Sequence, residues 1–170
     1  MKKIIAFLMV CLTILTGIQF YLNIQFNRHC EGYIKRAADA STIELSKEQL
    51  DIAIKYLESN GLTEGYTSIF FNRPGDDIGF WYKNLKTAQN DLESIDSNAT
   101  SLEKTNKLIK LREILMDHGN YGSEQVTSPS GISIYPANRL IVGLDIFFNL
   151  ALFFCLYKKY KDYLINFFKK

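Results

Sequence analysis

The sequence predicts a mainly α membrane protein: a two-span helical hairpin with a mostly helical extracytoplasmic domain, made of an αα-hairpin plus a short two-stranded element. Three observations predict it. Two apolar runs, residues 4–24 and 140–157, stand near the two ends of a 170-residue chain. The second run, about 18 residues long, would rise roughly 27 Å as a helix, close to the ~30 Å hydrocarbon thickness of a bilayer. Between the runs, apolar residues recur at helical spacing over several segments.

Charge gives the expected orientation. Net charge is only +2, but Lys2 and Lys3 precede the first run, and Lys158, Lys159, Lys161, Lys169 and Lys170 follow the second. The remaining thirteen basic residues lie between the runs against sixteen acidic ones, so residues 25–139 are mildly acidic. Basic residues collect on the cytoplasmic side of spanning helices, which places residues 1–3 and 158–170 in the cytoplasm and 25–139 outside. The layout and the Lys-, Ile- and Asn-rich usage point to a bacterial inner membrane. A nucleic-acid partner is not expected, because no basic face with interleaved aromatics exists outside the tails.

Residues 4–24 read as an uncleaved signal anchor: the run exceeds the length of a signal peptide's core, and no A-x-A pattern follows. Thr13, Thr16 and Gln19 share one face of it, where polar groups in lipid find helix partners. Since neither Gly nor Pro stops the helix after Ile24, and Cys30, Tyr33, Ile34 and Ala37 keep its period, it should continue to about Ala38. Ser46 to Gln49 matches a capping box ahead of the stripe Leu50, Ala53, Ile54, Leu57, and Asn60-Gly61 should end that helix. Tyr66–Phe71, aromatic and β-branched, reads as a strand entering the turn Asn72–Gly75.

Asp76 or Asp77 should cap the next helix, whose Ile78, Trp81, Leu85, Ala88, Leu92 and Ile95 form a heptad-like seam. Ser97 to Thr100 interrupts it. The capping box Thr100–Glu103 starts another helix, with Leu108, Leu111 and Leu115 on its apolar face and His118-Gly119 at its end. The pair reads as an antiparallel αα-hairpin. After Tyr121-Gly122, EQVTS and then GISIYP read as extended, the latter as a strand able to pair with Tyr66–Phe71. Beyond the second run, Tyr160, Tyr163, Leu164, Phe167 and Phe168 recur among lysines. That pattern suits a basic amphipathic tail at a lipid interface, with Lys158, Lys159, Lys161, Phe167 and Phe168 as its contacts.

Three sets of residues carry functional expectations. Asp145 lies within the second run and Asn149 one turn on; a carboxylate in lipid costs on the order of 2.5–3.5 kcal/mol at the centre. The expected relief is an intramembrane contact of Asp145 and Asn149 with Thr16, Gln19 or Asn23 of the first span or of a neighbouring protomer. Tyr66, Phe70, Phe80, Trp81 and Tyr82 gather aromatics that are either core or a partner or ligand surface. Cys30 stands as a free thiol or as half of an intermolecular bridge. His29-Cys30-Glu31 holds metal-ligating types, but neighbouring helical positions point apart, so no metal is expected.

Neither catalytic residues nor a cofactor are expected, since His29 and His118, the only histidines, sit in no catalytic motif. Two spans flanking a helical module resemble the sensor portion of chemoreceptors in architecture alone; no motif is shared and no family is assigned. The leading expectation is protein–protein interaction or assembly through the outer domain, with the bilayer and an envelope protein or a second copy as partners. A small-ligand sensor and a membrane-permeabilising protein are the alternatives.

Overall fold

The computed structural model describes residues 1–96, 99–118 and 124–168, with 162–168 as backbone only. Six α-helices and one small hairpin are described: α1 (Lys2–Phe26), α2 (Gly32–Ala38), α3 (Ile43–Ser59), α4 (Ile78–Glu93), α5 (Ser101–Leu115), β1 (Met116–His118), β2 (Glu124–Val126) and α6 (Asn138–Phe168). A single π-helical turn, Asn27–Glu31, joins α1 to α2. The first helix therefore runs unbroken from Lys2 to Ala38, as its apolar spacing predicts.

α1 and α6 are both long and apolar enough to cross a membrane. They lie antiparallel, and on α1 the shielded positions Ile5, Leu8, Leu12, Leu15, Gln19, Leu22 and Phe26 alternate in steps of three and four. Ile141, Asp145, Phe148, Leu152 and Cys155 do the same on α6. This is a coiled-coil-like seam. Outside it Phe7, Phe20, Phe147, Phe153 and Phe154 are exposed.

At the upper end of this pair sits a compact module of α2 to α5. α2 leads away from the apolar pair and α3 returns to it, so Tyr56 near the end of α3 packs on Phe26 and stacks on His29, ring centroids 5.9 Å apart. α4 climbs again, which places its last residue, Glu93, beside Lys47 at the start of α3. α5 descends antiparallel to α4, with Lys110 near Asp91. Cys30, Ile34, Leu50, Leu57, Ile78, Trp81, Leu85 and Leu115 meet in one core. Burial of each aliphatic side chain of this kind contributes about 1.5–3 kcal/mol.

The capping chemistry is partly as expected. Asp77 caps α4 by accepting from Phe80 N at 3.0 Å. Thr100 and Glu103 form a reciprocal capping box on α5. Leu62 N and Gly61 N close the end of α3 on the carbonyls of Leu57 and Glu58, with Gly61 in the left-handed region. The start of α3 differs: Thr42 is its cap, accepting from Leu45 N, and Ser46 and Gln49 are buried inside the helix. Ile43 extends the apolar stripe two turns earlier, and the Ser46 hydroxyl turns inward to donate to the Ala37 carbonyl at the end of α2.

The two-stranded element is also not where the pattern put it. Tyr66–Phe71 and the segment after Gly131 do not pair. Tyr66 makes one isolated bridge to Asp77, and Ile132–Ile134 is a 3-10 turn. Gly131, at φ 77°, turns the chain, and Ile132 alone enters the core. The hairpin instead joins Met116–His118 to Glu124–Val126, antiparallel, so α5 stops at Leu115 and not at His118-Gly119. Gly119, Tyr121-Gly122 and Ser97 lie outside the described residues. At the other end α6 is continuous to Phe168, so the basic tail prolongs the helix and does not break away as a separate one; neither Gly nor Pro occurs between 158 and 168.

Candidate functional site

Three places concentrate chemistry. The first is a polar pairing in the apolar seam, the one side-chain pair across it among the described residues. Gln19 Nε2 donates to Asp145 Oδ2 at 2.5 Å. Asn149 turns back to donate to the carbonyl of Asp145, and Thr16 donates to its own helix at Leu12. Of the four predicted intramembrane residues, Gln19 and Asp145 thus meet across the two helices, while Thr16 and Asn149 are occupied locally. Thr13 likewise donates to Met9.

The aromatic set divides. Trp81 is only 5% exposed and fills the bundle core. Tyr82 is half-buried, and its hydroxyl donates to Glu58 at 2.6 Å. Burial, and then the neighbouring Glu58 carboxylate, push this phenol up to about 12. Tyr66, by contrast, is exposed, with its pKa raised by a hydrogen bond to Asp77. Phe80 is exposed too, and Phe70 and Phe71 are 75% and 83% exposed in the loop between α3 and α4. That loop is pinned by Thr67 N on the Asp76 carbonyl, by Ile78 N on the Gly65 carbonyl, and by the Arg73–Asp76 ion pair at 2.7 Å.

The third place is a groove of about 490 Å³ beside the π turn, lined by Asn27, Glu31, Lys35, Val126, Ser128 and Ser133 among others. Sequence reasoning missed it. The π turn leaves no composition signal, although Gly32 is a trace of it: a side chain there would stand 3.0 Å from the Asn27 carbonyl. Ser128 donates to Glu31 across the groove wall at 2.5 Å.

Cys30 is fully buried, which removes it from intermolecular bridging in the folded chain. Burial first, and then the Glu31 charge, raise its thiol pKa far above the usual range. His29, Cys30 and Glu31 point to Tyr56, the core and Ser128 respectively, as adjacent helical positions must. In the tail, Lys158, Lys159 and Lys161 are exposed, and the side chains of Phe167 and Phe168 lie outside the described residues.

Leu102 and Ile109 of α5 are also exposed, at 69% and 53%. They stand two turns apart on a face turned away from the core-facing Leu111 and Leu115, with Thr105 and Asn106 between them. The sequence reading took only the inner side. No family model, no curated protein and no solved structure matches this chain.

Proposed function

We propose that the chain is an integral membrane protein, held by α1 and α6 in a bacterial inner membrane with both termini cytoplasmic, and that its outer module works by docking a protein partner. Support for the membrane comes from the broad apolar surface of α1 and α6 outside their seam, which water would not tolerate at this size. Support for the orientation comes from the lysines at both ends. The docking reading rests on one observation, the two exposed apolar side chains Leu102 and Ile109 on α5. Because α5 packs antiparallel on α4, Leu102 stands at the end of the module farthest from the spans, where a partner has free access. Trp81 fills the core of the module and is taken up by packing.

A photo-crosslinking residue at Ile109, in the full chain in native membranes, tests this reading. It should capture one defined species, either a second copy or another envelope protein, and a crosslinker at Lys55 on the exposed side of α3 should not. A smear or no product at Ile109 overturns the reading. A second reading, a small-ligand sensor, is favoured by the groove at the π turn, because a molecule there would touch the continuous first helix and the segment leading to α6. Native mass spectrometry of the detergent-extracted chain tests it: a bound small molecule supports it, and a bare chain counts against it.

A further inference from the structure

We propose that the loop Ser68–Arg73 is a third membrane contact, dipping Phe70 and Phe71 into the outer leaflet beside the start of α6. This rests on the reading that α1 and α6 span. Phe71 is the most exposed large apolar side chain among the described residues, with Phe70 beside it in sequence. Two adjacent phenylalanines held in water at a loop tip are a liability unless something apolar covers them.

Their place in the fold says what covers them. The loop leaves α3 at the level of Phe26, where the first helix emerges from its apolar stretch. The Tyr135 ring lies directly over Gly65, whose missing side chain makes room for it. Tyr66, Ser68 and Asn72 share a groove of about 300 Å³ with Tyr135, Pro136 and Arg139, immediately before the exposed Leu140 that begins the second apolar run. The loop that carries the phenylalanines therefore stands beside the residues that lead into the second apolar run.

The chemistry around the tip suits the headgroup layer. Arg73 and Arg139 are exposed on either side of it, and guanidinium groups pair with phosphates in bidentate geometry. In the shared groove, Ser68 Oγ and Asn138 Oδ1 are buried and meet no partner among the described residues, so polar capacity remains beside the apolar tip. The hydrogen bonds and ion pair close the base of the loop before contact, which lowers the ordering cost of insertion.

The test is nitroxide labelling of the full chain in nanodiscs of phosphatidylethanolamine and phosphatidylglycerol. Cys11→Ala and Cys155→Ala remove the thiols on the spans, and Cys30 is enclosed. Labels at Phe71→Cys, Phe153→Cys and Asn106→Cys are compared by their accessibility to oxygen and to a water-soluble nickel chelate, with Phe70→Cys as a second reading of the loop. The proposal expects position 71 to shift to the oxygen side with 153, and 106 to remain on the nickel side. If 71 reads as water while 153 reads as lipid, the proposal fails and the spans stand. Shielding of 71 from both reagents means a protein covers the tip, which also overturns it. If 153 itself reads as water, the spanning reading fails and takes this proposal with it.

Discussion

Gln19 and Asp145 face each other across the two apolar helices, amide to carboxylate at 2.5 Å, at equivalent positions of a seam that is otherwise apolar. A polar residue at one such position fixes the register of packed helices, because any slip leaves it unpaired in apolar surroundings. The pair is the marker that tells α1 where to lie on α6.

Replacing Gln19 alone by Leu should therefore destabilise the hairpin, since Asp145 loses its cross-helix donor. Replacing both by Leu should recover most of the loss. The coupling expected from a double-mutant cycle is about 0.6–1.7 kcal/mol, the range found for polar contacts between spanning helices. Thermal unfolding in detergent micelles measures it, and additive single effects would show that the contact carries no register information.

Cys30 should resist thiol reagents in the native protein at neutral and mildly alkaline pH. Its side chain is enclosed, and its raised pKa suppresses the thiolate, which is the reactive form. Labelling should appear only after denaturation. Rapid modification of Cys30 in the folded chain would mean that the helix junction opens far more readily than its packing implies.

Gly65→Ala should lower stability by more than about 1 kcal/mol, because Gly65 has φ 103° and the new methyl would collide with Tyr135. Adding Tyr135→Ala should relieve the collision but not the backbone strain. The double variant should then be no worse than the sum of the single changes and better than it if the collision dominates. Melting temperatures of the three variants decide this, and a neutral Gly65→Ala would uncouple the loop from the start of α6.

Thr100→Ala should cost about 1 kcal/mol by removing the cap of α5. Glu103 adds a pH signature. Its folded pKa is lowered, first by the Thr100 backbone N–H and then by the Thr100 hydroxyl. A lowered carboxyl pKa contributes stability above its unfolded value of about 4.3, and that contribution is lost as pH falls through the folded value. As pH falls from neutral through the folded value, the wild type and Glu103→Gln should converge in helix content, as read by circular dichroism, and a constant difference at all pH values would exclude this role for Glu103.

Much of the helical frame was legible because its helices show contrast between faces. The seam of α4 is complete in the sequence, and Thr100–Glu103 announces α5 by chemistry that only a helix start uses. The seam of α1 was present but unreadable. In a run that is apolar all round, the shielded row Ile5 to Phe26 has no polar side to stand out against, and Gln19 is its one visible mark. Tyr66–Phe71 misled for a related reason: aromatic and β-branched residues suit a strand, yet consecutive Ile69, Phe70 and Phe71 need cover on both faces, which this loop lacks. Ser46 and Gln49 imitated a cap while serving as buried polar positions that only the packing of α2 on α3 reveals. The groove at the π turn arises from an extra residue in one helical turn, a feature with no sequence period at all.

The account depends most on α1 and α6 crossing a bilayer with the module on the far side from both termini. Single cysteines at Asn106 and Lys159, in a chain lacking Cys11 and Cys155, test it with a thiol reagent that cannot cross membranes. In intact cells Asn106→Cys should be labelled and Lys159→Cys should not, until the membrane is opened. Equal labelling of both before opening, or recovery of the chain in the soluble fraction, would contradict it.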